Sequence, residues 1–212
     1  MAETREERWV RFYKASEGTP AWPALVSTLE RCEAETPGVT GRFAIDLGCG
    51  AGRDTLELLR RGWRVLAMDK QPEAIAHIEA AVPTELRGQL EGRVAAFEDI
   101  TSLPPADLIN AAFALPFCQP AHFPILWAAI VAALPPGGRF VGQLFGDRDE
   151  YAADPTMTFQ TAEGVQELLS PFEIEHLKER EEDGKTALGE PKHWHVFSIV
   201  ARKRPVPSVL DP

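Results

Sequence analysis

The chain has 212 residues, 44% of them hydrophobic and 25% charged, which is the balance of an ordinary globular protein long enough for one well-buried core. Its formal net charge of -10 argues against a nucleic-acid partner, because an acidic surface repels phosphate backbones. No apolar run approaches the ~20 residues needed to span a bilayer, and the charged stretch Met1 to Arg11 is unlike a secretory leader. A cytoplasmic domain without membrane contact is therefore expected.

Residues 3–14 and 20–35 read as helices, the second carrying Trp22, Leu25, Val26 and Leu29 on one face. Thr19-Pro20 starts it and Pro37-Gly38 stops it. The apolar run from Arg42 to Leu47 predicts a buried parallel strand. Helix 53–61, strand 64–68, helix 72–82, a weaker strand 93–97, strand 107–112, helix 121–134 and strand 139–145 follow. Such alternation predicts right-handed crossovers and a parallel sheet covered on both faces, a doubly wound α/β fold. Helix 161–169 then precedes two strands, 172–180 and 193–202, joined at Asp183-Gly184 without a helix, so they should pair antiparallel. Residues 205–212 read as a frayed tail. Two basic clusters, Arg60-Arg61 with Arg64 and Arg202-Lys203-Arg204, read as solvated element ends.

Cys32, Cys49 and Cys118 are widely spaced, with no CxxC pair to suggest zinc and no disulfide framework. No metal site is expected. Free buried cysteines behave as small hydrophobes, although three thiols gathered by the fold could hold a soft metalloid.

The run Asp46-Leu47-Gly48-Cys49-Gly50-Ala51-Gly52-Arg53 sits between a strand and a helix, where backbone N–H groups can approach a ligand. A dinucleotide fingerprint, G-x-G-x-x-G, would place its third glycine at position 53, which is Arg53. The spacing is D-x-G-x-G-x-G instead. The next strand ends in Met68-Asp69-Lys70, where an acid can accept hydrogen bonds from both ribose hydroxyls; Lys70 beside it joins the cofactor-binding set. Phe97-Glu98-Asp99-Ile100 closes the third strand, where Asp99 can bond an adenine amino group and Ile100 can pack its ring. In this order, at three strand ends, these sites outline one nucleoside pocket.

The glycine segment resembles the first motif of the class I S-adenosylmethionine-dependent methyltransferases, with Asp69 and Asp99 matching the second and third. The likeness covers roughly 42–146. With Leu134-Pro135-Pro136-Gly137-Gly138 before a strand, it is most similar to the small-molecule branch, which includes tellurite-resistance and thiopurine-type enzymes. The resemblance implies S-adenosyl-L-methionine as cofactor, a small-molecule methyl acceptor, and a seven-stranded, mostly parallel sheet with an antiparallel final hairpin. It implies one domain over 1–212: a helical lid over 1–40, a cofactor-binding core over 41–146, a helix and hairpin over 147–204, and the tail. Gly48 and Gly50 should border the methionine part, Asp46 should orient its amino group, and Arg53 is set to pair with its carboxylate. Trp9 and Tyr13, with Phe12, are expected in the lid.

Methyl transfer from a sulfonium needs few catalytic side chains: an in-line approach, exclusion of water and a deprotonated acceptor suffice. The ends of the fourth and fifth strands, Asn110 to Phe113 and Gln143 to Asp147, should line the crevice; the former has alanines where base- and glutamine-modifying relatives often carry prolines, which argues against those substrates. Asn110 is assigned to both cofactor and acceptor edges. Phe117-Cys118-Gln119 is a poor match to the nucleophile motif of cytosine-5 enzymes. His193-Trp194-His195 begins the last strand, near the crevice, with both histidines on one face. His195, and more weakly His193, is the candidate base; packing at a strand start is the alternative. An RNA or protein methyltransferase, or a non-catalytic cofactor-binding protein, are the competing functions.

Overall fold

The computed structural model describes residues 5–16 and 18–205. Two helices, α1 (Arg5–Ser16) and α2 (Pro23–Glu35), precede the sheet. Pro23 opens α2 where a backbone N–H would have no helical partner. Leu25, Leu29 and Cys32 recur at helical spacing and bury one face of it.

Strands and helices then alternate: β1 (Phe43–Leu47), α3 (Arg53–Arg60), β2 (Arg64–Asp69), α4 (Pro72–Ala81), β3 (Leu90–Val94), β4 (Leu108–Ala111), α5 (Phe123–Ala133) and β5 (Arg139–Gly146). A two-residue strand, β6 (Phe159–Gln160), leads into α6 (Ala162–Leu168) and the long hairpin of β7 (Phe172–Lys185) and β8 (Pro191–Lys203). The strand order is β3-β2-β1-β4-β5-β8-β7, with β6 attached to the end of β5. The pairs among β1 to β5 are parallel, whereas β8 runs antiparallel to both β5 and β7. This is the doubly wound sheet with an antiparallel hairpin that the alternation predicts.

Apolar side chains fill the space on both faces of the sheet. Leu126, Trp127 and Ile130 of α5 pack with Phe140, Leu144, Phe197 and Ile199 on one face. Leu25 and Leu29 of α2 pack with Leu58, Leu59, Val141 and Val200 on the other. Each such buried leucine contributes roughly 1.5–3 kcal/mol. At the amino end of β5, the buried Arg139 donates to Glu175 Oε2 and Oε1 at 2.9 and 2.8 Å and to Glu35 at 2.6 Å, tying β5 to β7 and α2.

Three element readings change. The third strand is Leu90–Val94, not 93–97, and Phe97–Asp99 form a 3-10 turn beyond it. It is a sheet edge with exposed positions, so it lacks the apolar run that marks a central strand. The hairpin strands reach to Lys185 and back from Pro191, so Asp183-Gly184 is paired strand and not the turn. The sheet has an eighth, two-residue strand. The start of the helix read at residue 3 and the tail beyond 205 lie outside the described residues. No described helix is long and apolar enough to cross a membrane.

Candidate active site

The chain runs from β1 through α3 to β2 on one side, and from β4 through α5 to β5 on the other, so a crevice opens over the carboxyl ends of β1 and β4. The glycine loop lies there. Gly48 and Cys49 donate their N–H groups to the Met68 carbonyl at 2.8 and 3.0 Å, and Gly50 N–H donates to Asp69 Oδ2 at 2.9 Å. Gly50 has φ +53°, a left-handed conformation that disfavours a side chain. A Cβ on it would come within 3.2 Å of the Tyr13 ring.

Asp69 is almost wholly buried and held on both oxygens. Its Oδ1 accepts from Gln71 N–H at 2.9 Å and from the Tyr13 hydroxyl at 3.1 Å. Burial, then the Asp69 charge, pushes the Tyr13 phenol well above its usual range, so it stays a protonated donor. α1 thus reaches the cofactor end of the crevice through Tyr13. Trp9 stacks on Tyr13 at 6.1 Å and meets Phe117 edge-on at 4.7 Å. Arg8 donates to the Tyr151 hydroxyl at 3.3 Å and pairs with Glu190 at the start of the hairpin's return.

The floor holds two buried carboxylates. Asp46 Oδ2 accepts from Thr55 Oγ1 at 2.6 Å, and its Oδ1 accepts from Asn110 Nδ2 at 2.8 Å. Asn110 Nδ2 also lies 3.2 Å from Asp54 Oδ2. Burial, and next the Asp54 charge, raises Asp46 to about 7. Asn110 Oδ1 is buried without a hydrogen-bond partner among the described residues. Arg53 Nε donates to Asp54 Oδ1 at 2.9 Å, with its guanidinium 6.0 Å from the Trp22 ring centroid. Trp22 N–H donates to the same Asp54 oxygen at 2.9 Å.

The register places Asp69, Asp46, Asn110, Gln143 and Phe145 on one face of the sheet, together with Val196, Trp194 and Lys192 of β8. Phe113, just past β4, has φ +54°. Its N–H donates to Gln143 Oε1 at 3.0 Å, and its ring meets Trp22, Trp194 and Phe145 at 5.1, 6.2 and 6.3 Å. Gln143 is fully buried, and its Nε2 has no partner among the described residues.

His193 and His195 share a face, as alternation requires, but it is the opposite one, with Leu144 and Phe197. His195 is fully buried. Its Nδ1 accepts from Arg148 N–H at 3.1 Å, and its Nε2 lies 2.8 Å from Glu179 Oε1. These bonds assign the proton to Nε2. A Cβ on Gly146 would sit 1.9 Å from that ring, so the imidazole packs directly on the β5 backbone. His193 is 2.7 Å from Asp183 and 3.4 Å from Glu181, which together raise its pKa.

Lys192 was not singled out in the sequence. Its ammonium lies 3.8 Å from the Trp194 ring centroid and 4.2 Å from that of Tyr151, paired with the buried Asp149. The signal available beforehand was only a lysine two residues before Trp194. Asp54 and Thr55 likewise read as ordinary polar residues until their bonds to Asp46 and Asn110 put them in the crevice floor, whereas Gln143 belongs to the fifth-strand end expected to line the crevice and lies on the face of Asn110.

Lys70 is exposed beside Asp69. Asp99 is exposed and Ile100 buried, and Phe97 in the same turn lies 3.3 Å from a Cβ built on Gly48. Phe97, in the turn that carries Asp99, is therefore beside the glycine loop. The three cysteines are free, and no group of metal-holding side chains forms among the described residues.

A twisted parallel sheet with this order, this terminal hairpin and a D-x-G-x-G-x-G loop defines the class I methyltransferase fold. Residues 44–138 match the family model described as a methyltransferase domain. Over these residues, somewhat under half of the chain, the protein is similar to methyltransferase domains, and its fold is that of the class I S-adenosylmethionine-dependent methyltransferases. A curated relative, the magnesium-protoporphyrin O-methyltransferase of Rhodobacter capsulatus, is 41% identical over 61 residues, 29% of this chain and 27% of its own length. Among solved structures, TehB from Haemophilus influenzae superposes with a TM-score of 0.69 at 16% identity, over 84% of this chain and 62% of that one. The 1,6-didemethyltoxoflavin-N1-methyltransferase of Burkholderia thailandensis, bound to 1,6-didemethyltoxoflavin and S-adenosylhomocysteine, gives 0.63 at 21% identity over 97% and 92%. These structural likenesses establish the fold.

The residues present fit S-adenosylmethionine. Asp69 offers a carboxylate for a ribose diol, the Asn110 oxygen, without a partner among the described residues, and Asp46 offer acceptors for an ammonium, and the loop beside them carries glycine at 48 and 50.

Proposed function

We propose that this protein is a cytoplasmic enzyme that transfers a methyl group from S-adenosylmethionine to a small-molecule nucleophile: a thiol, amine, hydroxyl or metalloid oxyanion. The observation that carries this reading is a single sheet face. It runs from the diol-binding acid Asp69, through the acidic corner of Asp46 and Asn110, to the aromatic rings around Phe113. The acidic net charge supports a small acceptor over a nucleic acid. The relatives above, a magnesium-protoporphyrin O-methyltransferase and a 1,6-didemethyltoxoflavin-N1-methyltransferase, support it too.

The cofactor would supply an activated methyl on a sulfonium, a leaving group that departs neutral. The chain's own residues then bind, orient and exclude water. Asp69 holds the ribose hydroxyls, and Gly48 and Gly50 let the backbone come close. Asp46 and Asn110 hold the amino group, and Asp99 with Ile100 holds the adenine. Trp9 and Tyr13 of α1 close over this end. Of the three residues expected on the acceptor side, Asn110 lies on the crevice face; His195 and His193 contribute through the loop and hairpin they anchor. Arg53, held by Asp54 and Trp22, steadies the corner.

Incubating the protein with methyl-labelled cofactor and a panel of thiols, amines, phenols, tellurite and selenite tests the reading. Labelled product from at least one member supports it. Cofactor binding without turnover on any panel member favours a protein that holds the pocket and has lost transfer.

A further inference from the structure

Gln143 is a polar side chain in the middle of a strand that is buried throughout. Its carbonyl oxygen is committed to Phe113 N–H at 3.0 Å, which fixes the amide so that Nε2 is left as a donor with no partner among the described residues. An unmet buried donor is destabilising, and such groups are rare in native interiors. Phe113, which this bond holds, has φ +54°, a conformation that is strained for a bulky side chain. Strain of this kind collects at ligand sites.

Phe113, which Gln143 holds, belongs to a cluster of rings on the same side of the sheet, of which Phe145 is buried and Trp22, Phe113 and Trp194 are partly exposed. Trp22 and Phe113 meet edge to face at 5.1 Å, and Trp194 and Phe145 do so at 5.8 Å. Trp194 is steadied by the Lys192 ammonium 3.8 Å from its ring centroid, and that charge is matched by buried Asp149. The indole N–H of Trp22 is a second buried donor with no described partner. Flat π faces with donors and no opposing acceptor suit one kind of occupant.

Resting on the methyl-transfer reading above, we propose that the acceptor is a planar aromatic or heteroaromatic molecule with a hydrogen-bond-accepting atom, held by Gln143 Nε2 against the touching rings of Phe113 and Trp194. Gln143 is the residue that sets its orientation, and so selects which atom of the ring faces the methyl donor. The rings exclude water around the reacting atom, and the single donor distinguishes a carbonyl- or ring-nitrogen-bearing acceptor from a plain hydrocarbon.

The test measures binding, apart from turnover. The whole protein, saturated with S-adenosylhomocysteine, is titrated with 4-quinolone and with naphthalene, followed by tryptophan fluorescence and equilibrium dialysis. Gln143→Met should weaken 4-quinolone about 5- to 10-fold, the worth of one net hydrogen bond, and leave naphthalene within about twofold. Trp194→Leu, at a half-exposed position, should weaken both probes and keeps the test open if the Gln143 variant fails to fold. Unchanged 4-quinolone binding in Gln143→Met, or unchanged binding of both probes in Trp194→Leu, overturns the proposal, as does failure of the parent protein to bind either probe. Failure to bind S-adenosylhomocysteine at all is a different result and overturns the methyl-transfer reading beneath it.

Discussion

The Tyr13 hydroxyl donates to Asp69 Oδ1 at 3.1 Å, on the carboxylate that a ribose diol would claim. The other two donors to Asp69 are backbone N–H groups of Gly50 and Gln71, so the tyrosine is the replaceable one. Tyr13→Phe should therefore tighten S-adenosylhomocysteine binding about 3- to 10-fold, since a net hydrogen bond is worth about 1 kcal/mol. Isothermal titration measures it. Equal or weaker binding would mean that Tyr13 keeps its place when the cofactor arrives.

Asp46 makes the protein's stability depend on pH in an unusual direction. Its folded pKa, about 7, lies above the ordinary value of 3.8, chiefly through burial. The native state thus holds the proton more tightly than the unfolded chain, and its contribution is full below about pH 4 and lost as pH rises through 7. Asp46→Asn should flatten the fall in melting temperature between pH 5 and 8. A cofactor ammonium beside Asp46 lowers that pKa again, so binding near pH 6 should release protons. Calorimetry in two buffers of different ionisation enthalpy would detect the release; identical heats would remove Asp46 from the ammonium site.

Lys192 and Asp149 pin the loop after β5 to the first residues of β8. Asp149→Ala leaves a buried ammonium without its counter-charge, and should cost about 3–5 kcal/mol by denaturant unfolding. Lys192→Met removes the charge, keeps the volume and leaves the Asp149 carboxylate with the N–H groups of Tyr151 and His195 as donors, so it should cost less. Equal losses would show that the pair acts by packing alone.

His195 separates packing from chemistry. Replacing it by Leu keeps volume but leaves Arg148 N–H without its acceptor, a loss of about 1–3 kcal/mol, while Glu179 keeps Arg148. Melting temperature should fall while S-adenosylhomocysteine affinity holds. A slower transfer at unchanged stability would instead give the imidazole a direct part on the acceptor side.

Where chemistry is local, the sequence is legible. Asp46-Leu47-Gly48-Cys49-Gly50 announces a ligand loop because the glycine spacing and the strand before it are the structure. Asp69 follows from its place at a strand end. What depends on register is not legible: alternation puts His193 and His195 together, but only the pairing of Leu144 with Phe197, on their face of β8, and the contact of Gly146 with the His195 ring show that they face away from Asn110. The edge strand β3 was read three residues late, because exposed positions carry no apolar pattern. Gln143 reads as an interruption in an apolar run until Phe113 N–H is seen to hold its oxygen.

The central claim is that Asp69 and the glycine loop hold S-adenosylmethionine and not a dinucleotide. Calorimetric titration of the parent protein and of folded Asp69→Ala with S-adenosylhomocysteine and with NAD tests it most directly. The account predicts one S-adenosylhomocysteine per chain, about 10- to 100-fold weaker in the variant through loss of a charge-assisted bond of about 1.5–3 kcal/mol, and no NAD binding. Tight NAD binding without S-adenosylhomocysteine binding, or equal affinity in folded Asp69→Ala, would contradict it.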